Sequence, residues 1–219
     1  MRTFIRGLGE VMITVGLILL LFVGYQLFWT NFLAARAANA QVSDIKSNWK
    51  SDPGAPELTQ QPVPGQGFAL MTIPRLGDDV KSAPVIQGVD LDVLAEGIGH
   101  YIGTAMPGQV GNFAVAAHRA THGEPFRFID TLQVGDHVYV ETDSYWYTYR
   151  LARQRIVPPT DTWVIKPQPF DTDPLPSNRL ITLTTCNPRW ASYERWIWWG
   201  ELVAKQDKSK GTPTMTVNG

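Results

Sequence analysis

Residues 180–186 read Leu-Ile-Thr-Leu-Thr-Thr-Cys and are followed by Asn187-Pro188, and this stretch decides how the fold is interpreted. Short runs rich in β-branched and aromatic residues, bounded by Gly, Pro and Asp, are typical of strands. Because proline cannot continue a central strand, the strand is predicted to end at Cys186. The sequence therefore places a cysteine at a strand end, where its side chain can face a cleft.

Five further segments are also short runs rich in β-branched and aromatic residues and are predicted to be strands. Thr142-Asp143-Ser144 separates two of them and is expected to form a hairpin connection. One short helix is predicted at Leu91–Glu96, with Asp90 as N-cap and Gly97 as the stop. Regularly spaced strands with few helices favour an all-β fold with a closed or nearly closed barrel. The additional predicted strands are residues 68–76, 112–119, 137–142, 145–150 and 196–204.

Length and composition exclude several classes of protein. The 219 residues suffice for one domain and an additional segment, and 44% apolar residues exclude wholesale disorder. A formal net charge of −1 gives no basic footprint, so no nucleic-acid partner is expected. A single cysteine excludes an intrachain disulfide and a Cys-rich zinc site.

The N-terminal segment, residues 1–35, is predicted to be a cytoplasmic tip and transmembrane anchor. Val11–Ala35 contains no charged residue and is long enough to span a bilayer as a helix. Arg2 and Arg6 precede it, which predicts an N-terminus inside the cell and a C-terminal domain outside. The alternative is a cleaved signal peptide, since Ala38-Asn39-Ala40 resembles a cleavage site, but the apolar run exceeds the usual signal length.

Two polar segments flank the predicted barrel. Residues 36–67 are predicted to be an extracellular linker, because the proline- and glutamine-rich part from Gln41 breaks any periodicity. Residues 207–219 are predicted to be a flexible polar tail. The catalytic domain is therefore expected to cover residues 68–206.

The candidate catalytic residues come from distant parts of the chain. A lone thiol outside the cell, such as Cys186, is either buried and inert or used in chemistry. A nucleophilic cysteine needs an imidazole, and His118 also ends an apolar strand; the alternative for His118 is a structural hydrogen bond. Arg195 lies nine residues after Cys186 and can orient a carbonyl or oxyanion if the two strands pair. Arg189 competes for that role but is too close in sequence to Cys186 to turn back easily, and Arg195 could instead be a surface residue packed on Trp196 or Trp198.

The pattern resembles the sortases, the cysteine transpeptidases of Gram-positive cell envelopes. The resemblance rests on Thr182–Cys186, on the strand that leads to His118, and on Arg195 at the start of a tryptophan-rich strand. Residues 99–105 and 121–126 make the chain most similar to the class E enzymes of actinobacteria. A departure is the Trp198-Trp199 pair, where smaller residues are commoner.

The resemblance implies a closed barrel of about eight strands with one or two short helices after the transmembrane helix. It implies Cys186 as nucleophile, His118 as general acid and Arg195 as the group that stabilises the oxyanion, with Thr185 and Tyr101 binding substrate. The implied reaction cleaves an LAxTG- or LPxTG-type sorting signal between Thr and Gly and transfers the protein to an amine. Partners would be proteins with such a signal, a peptidoglycan precursor amine and the membrane. The chemistry requires no metal and no cofactor.

Two alternatives of other kinds stay open on the sequence. A cell-wall Cys-His peptidase would use the same nucleophile but transfer the acyl group to water. A membrane-tethered barrel that only binds a partner would carry an inert Cys186.

Overall fold

The computed structural model describes residues 2–51, 61–170 and 175–217. Within these ranges eight strands form a closed barrel with the neighbour order β1-β2-β3-β4-β7-β8-β6-β5. The all-β barrel predicted from the strand pattern is confirmed. The strands are β1 Gly67–Thr72, β2 Ala83–Gln87, β3 Ile98–His100, β4 Gly111–Ala116, β5 His137–Glu141, β6 Tyr145–Val157, β7 Arg179–Asn187 and β8 Glu194–Asp207.

Helical elements lie before the barrel and in its connections. Two long helices, α1 Arg2–Gly24 and α2 Thr30–Ser51, are continuous through a π-helical turn at Tyr25–Trp29. A short helix α3 covers Leu91–Leu94. It is shorter than predicted, and the Asp90 side chain makes no capping hydrogen bond. Short 3₁₀ segments occupy Pro74–Val80, Ile129–Thr131, Thr162–Ile165 and Lys208–Lys210.

The strand pairings that matter for the site are those of β4, β7 and β8. Strand β7 pairs in parallel with β4, and Ala116 is opposite Thr184. On its other side β7 pairs antiparallel with β8, and Cys186 is opposite Arg195. The predicted hairpin is also present, since β5 and β6 are antiparallel neighbours joined by residues 142–144.

Side chains alternate between two apolar clusters along β7 and β8. Ile181, Leu183 and Trp198 point into the main core, which fills the barrel. Leu180 and Trp199 belong to a smaller cluster that packs against the segment before β7. Because successive residues of a strand face opposite sides, Thr182, Thr184 and Cys186 share the outer face with Leu180.

The predicted linker over residues 36–67 is wrong for its first part. Helix α2 continues to Ser51, and Ile45 on this helix is buried against the barrel. A Cβ added to Gly67 would lie 2.8 Å from the Ile45 side chain, so only glycine allows this close packing. The proline-rich residues 52–60 lie outside the described ranges.

The prediction of a frayed C-terminal tail does not hold for residues 208–217. The Tyr139 hydroxyl donates to the Thr214 carbonyl and accepts from the Thr216 amide. The His137 amide donates to the Val217 carbonyl. These hydrogen bonds supply backbone partners that the polar composition of the tail did not indicate.

Candidate active site

Cys186 lies between two neighbouring strand ends on the outer face of the barrel. It is half-buried, has no disulfide partner and is opposite Arg195 in the β7–β8 register. Adjacent strands are about 5 Å apart, so the backbones of these two residues are in direct proximity.

His118 is brought to the other side of Cys186 by the parallel pairing of β4 and β7. The ladder continues past Ala116, since the Ala117 amide donates to the Thr184 carbonyl over 3.2 Å. The Thr185 hydroxyl donates to the Ala117 carbonyl over 2.7 Å. His118 follows Ala116 by two residues, as Cys186 follows Thr184, so the parallel ladder brings both residues to the same end of the β4–β7 pair. The three predicted catalytic residues are therefore on three successive strand ends, in the order His118, Cys186, Arg195.

His118 is held in a half-buried position beside a second histidine. Its ring centroid is 5.5 Å from that of His122. Burial lowers the pKa of His118, and the nearby charge on His122 lowers that pKa further. The neutral imidazole is therefore favoured at neutral pH, which suits proton exchange better than a permanently charged ring.

The two arginines that compete in the sequence have different partners. The Arg195 Nη1 donates to the carbonyls of Ser192 and Glu194, 3.1 and 2.9 Å away. Arg189 is bound elsewhere: its Nη2 donates to the Glu124 carboxylate over 2.6 Å. Since a guanidinium has five N–H donors, Arg195 retains donors for a substrate oxygen.

Thr185 does not offer its hydroxyl to the site. The side chain is buried and bonded to Ala117, and strand alternation places it on the opposite face from Cys186. The expected contribution of Thr185 to substrate binding was its hydroxyl or its backbone amide. The hydroxyl instead connects β7 to the end of β4, and the use of the backbone amide stays a prediction.

Tyr101 lies close to the outer face on which Cys186 is exposed. Its hydroxyl is 3.1 Å from the Thr184 hydroxyl, and the Thr184 hydroxyl in turn donates to the Val115 carbonyl over 3.1 Å. Because Thr184 uses its proton on Val115, Tyr101 is the donor between the two hydroxyls. The Tyr101 oxygen can then accept a hydrogen bond from a substrate.

Two further residues close to the site were not among the predicted site residues. Arg119 is buried, stacks over Trp196 at 5.0 Å and donates to the Asn187 side chain over 2.7 Å. Glu124 is only 4% exposed and joins Arg189 to helix α2. The contacts with Asn187, Asn31 and Arg189 join residues that are 65 to 93 positions apart, so no local pattern could reveal these contacts.

The part of the chain that the structure describes has no group of three or more His, Cys, Asp or Glu residues placed to hold a metal ion.

His100, the most buried histidine, is completely enclosed. Its ring contacts the Gln87 side chain at 2.7 Å and the Ala105 carbonyl at 3.1 Å, and burial lowers its pKa to about 4.

Comparison with known proteins shows which family the chain belongs to. The sortase domain family model matches residues 71–203, which is more than half of the chain. The chain belongs to the sortase family. This membership confirms the resemblance drawn from the Cys186, His118 and Arg195 segments, and the prediction that the chain is a sortase.

Similar sortases include two from Streptomyces coelicolor. Sortase SrtE1 is 42% identical over 97% of this chain, and the chain spans 61% of that relative's length. Sortase SrtE2 is 34% identical over 94% of this chain and 85% of the relative.

Solved structures of class E sortases share the barrel. Sortase E1 from S. coelicolor, with a tripeptide in its active site, is 38% identical with a TM-score of 0.62 over 70% of this chain and 98% of that one. Sortase E from Streptomyces avermitilis is 39% identical, also with a TM-score of 0.62, over 70% of this chain and 98% of that one.

Proposed function

We propose that this sortase is a membrane-anchored cysteine transpeptidase that acts on proteins with an LAxTG- or LPxTG-type C-terminal sorting signal. The observation that carries the proposal is the row of His118, Cys186 and Arg195 on three successive strand ends. The membership in the sortase family supports the same reaction class.

The row assigns one step to each side chain. The neutral His118 ring takes the proton of the Cys186 thiol, the resulting thiolate attacks the carbonyl carbon of the signal's threonine, and Arg195 donates hydrogen bonds to the oxyanion that develops there. As the Thr–Gly C–N bond breaks, His118 gives its proton to the leaving amine. A thioester between Cys186 and the substrate threonine remains.

The second half of the reaction returns the enzyme to its starting state. An amine attacks the thioester, the C–S bond breaks and a new C–N bond forms. His118 takes the proton that the incoming amine loses and passes it to the departing Cys186 sulfur, so atoms and charges balance over the cycle. We propose a cell-wall precursor amine as the acceptor, with no metal or cofactor in either step.

The proposed location is the cell membrane, with the barrel outside the cell. Helix α1 is a candidate membrane span by length and composition, with a mean hydropathy of 2.2 and no buried residue. Arg2 and Arg6 precede its apolar core and support an N-terminus inside. N-terminal analysis of protein isolated from cells tests this location, and a mature form that begins at Gln41 would contradict an uncleaved anchor.

The experiment that tests the reaction is product analysis of an LAxTG peptide with and without an added amine such as a glycine peptide. A transpeptidase joins the acyl fragment to the added amine. Release of the free acid alone, at an unchanged rate when the amine is present, would instead identify a peptidase. Absence of any cleavage, together with slow alkylation of Cys186 at neutral pH, would favour a binding module.

A further inference from the structure

The loop after His118 has an unusual backbone that needs external support. Thr121, His122, Gly123 and Glu124 all have positive φ, with values of 60°, 52°, 85° and 48°. Three of these residues are not glycine, and residues with a Cβ rarely adopt this conformation. Such a loop keeps its shape only where contacts from elsewhere hold it.

Helix α2 provides those contacts through one asparagine. The Gly123 amide donates to the Asn31 Oδ1, and the Asn31 Nδ2 donates to the Glu124 Oε1, each over 2.9 Å. The helix also lies close to the loop, since a Cβ added to Gly123 would be 3.3 Å from the Ala34 Cβ. Asn31 is therefore hydrogen-bonded to both the backbone and a side chain of the loop.

Glu124 extends this connection to the second loop of the site. Its Oε2 accepts from the Arg189 Nη2 over 2.6 Å, and Arg189 also donates to the Arg119 carbonyl over 3.3 Å. Arg189 belongs to the segment between Cys186 and Arg195. Burial would raise the pKa of Glu124, but hydrogen bonds from Asn31 and Arg189 and the charges of Arg189 and Arg127 lower it overall, so the carboxylate is ionised.

The rest of helix α2 is not packed evenly against the barrel. A cavity of about 340 Å³ separates residues of the helix between Asn31 and Val42 from the barrel and the loop. At the end of the cavity that Val42 lines, the helix contacts the barrel again: Gln41 donates to Glu96 over 2.7 Å, and Ile45 is buried. The end of α2 next to the proposed membrane span is therefore positioned largely by Asn31 and its neighbour Ala34.

We propose that Asn31 and Glu124 are positioning residues of the active site, and that they make the anchoring helix part of the catalytic unit. The chain Asn31–Glu124–Arg189 connects α2 to both loops that flank Cys186: the loop that follows His118 and the loop that precedes Arg195. This inference deepens the proposed function and rests on it, since the two loops matter only if these residues act together on a substrate.

The test compares the full-length protein in detergent or nanodiscs with its Asn31→Ala variant. The matched control is Asn39→Ala, because Asn39 is on the same helix, lines the cavity and has a side chain that makes no hydrogen bond within the described residues. Each protein is assayed for kcat and KM on an LAxTG peptide and for amide hydrogen exchange without substrate. Melting temperatures equal to that of the native protein establish that the variants are folded. If Asn31→Ala is not folded, Asn31→Ser takes its place in the comparison.

Asn31→Ala is expected to lower kcat about ten- to a hundredfold with a much smaller change in KM, because small misplacements of reacting groups are costly. Exchange should increase within residues 119–127 and 187–194, while Asn39→Ala should resemble the native protein. Unchanged exchange in both segments, or increased exchange with unchanged kcat, would overturn the proposal. If the native protein is itself inactive on the peptide, the proposed function fails, and the exchange result alone decides whether Asn31 braces the two loops.

Discussion

Cys186 and Arg195 face each other across the β7–β8 pair, one at the end of its strand and the other at the start. Only eight residues separate Cys186 from Arg195 in the sequence, so one short segment carries both the thiol and the guanidinium. His118 reaches the opposite side of the thiol through the parallel β4–β7 pair. The barrel thus places the proposed nucleophile between an imidazole ring and a permanent cation.

The first prediction distinguishes Arg195 from Arg189. Arg195→Lys keeps the positive charge but loses the planar fork, so turnover should fall about 10²- to 10³-fold, or ~2.7–4 kcal/mol, as for loss of an oxyanion donor. Arg189→Lys should cost much less, because a lysine can still pair with Glu124. Steady-state kinetics on one peptide measure both variants, and the reverse ranking would exchange the two assignments.

A second prediction concerns the pKa of His118. The charge on His122 lowers that pKa, so His122→Asn should raise the pKa of His118 towards its ordinary value. Asparagine suits the left-handed backbone at this position, where φ is 52°. Titration of the His118 ring by NMR measures the shift, with His137→Asn as a control in a distant strand. A midpoint that moves down or does not move would show that His122 does not act on His118.

Much of this arrangement was predictable because it depends on local patterns. The strand that ends at Cys186 has the composition of a buried strand and a proline directly after its last residues, so its end could be placed from sequence. Strands β2 and β3 were not predicted: β2 contains Pro84, and β3 has only three residues. Both are too short or too interrupted to show a strand periodicity.

The contacts of helix α2 could not be predicted for a different reason. The proline- and glutamine-rich composition predicts a linker over residues 36–67, but residues 36–51 are helical. Asn31 and Glu124 are 93 positions apart, and the local sequence around neither residue indicates this contact. Their relationship depends on tertiary packing alone.

A third prediction concerns the residue after leucine in the substrate signal. An alanine there offers a backbone N–H that proline lacks, and the Tyr101 hydroxyl oxygen can accept it while donating to Thr184. Tyr101→Phe should therefore reduce the preference for LAxTG over LPxTG peptides by about tenfold, which corresponds to a lost hydrogen bond of ~1–2 kcal/mol. Competition kinetics with both peptides measure the ratio. Equal use of both peptides by the native enzyme would refute the preference itself, and an unchanged ratio in Tyr101→Phe would refute the role of the hydroxyl.

The fourth prediction concerns stability in acid. His100 has a pKa of about 4 when folded, against an ordinary value near 6.5, so the unfolded chain binds its proton first. The stability from the neutral ring is fully present above about pH 6.5 and declines as pH falls towards 4, by ~3 kcal/mol. Urea unfolding at pH 7 and pH 4 measures the decline. His100→Gln should show a smaller difference between the two pH values, and an equal difference would locate the acid sensitivity elsewhere.

The most direct test of the central claim is intact-protein mass spectrometry after brief incubation of the full-length enzyme with an LAxTG peptide. We expect an added mass equal to the peptide fragment ending at threonine, located on Cys186 by peptide mapping and removed by hydroxylamine or an added amine. Cys186→Ala should show no adduct and no cleavage while retaining a cooperative unfolding transition. Peptide cleavage by Cys186→Ala at the native rate, or an adduct on any other residue, would contradict the account.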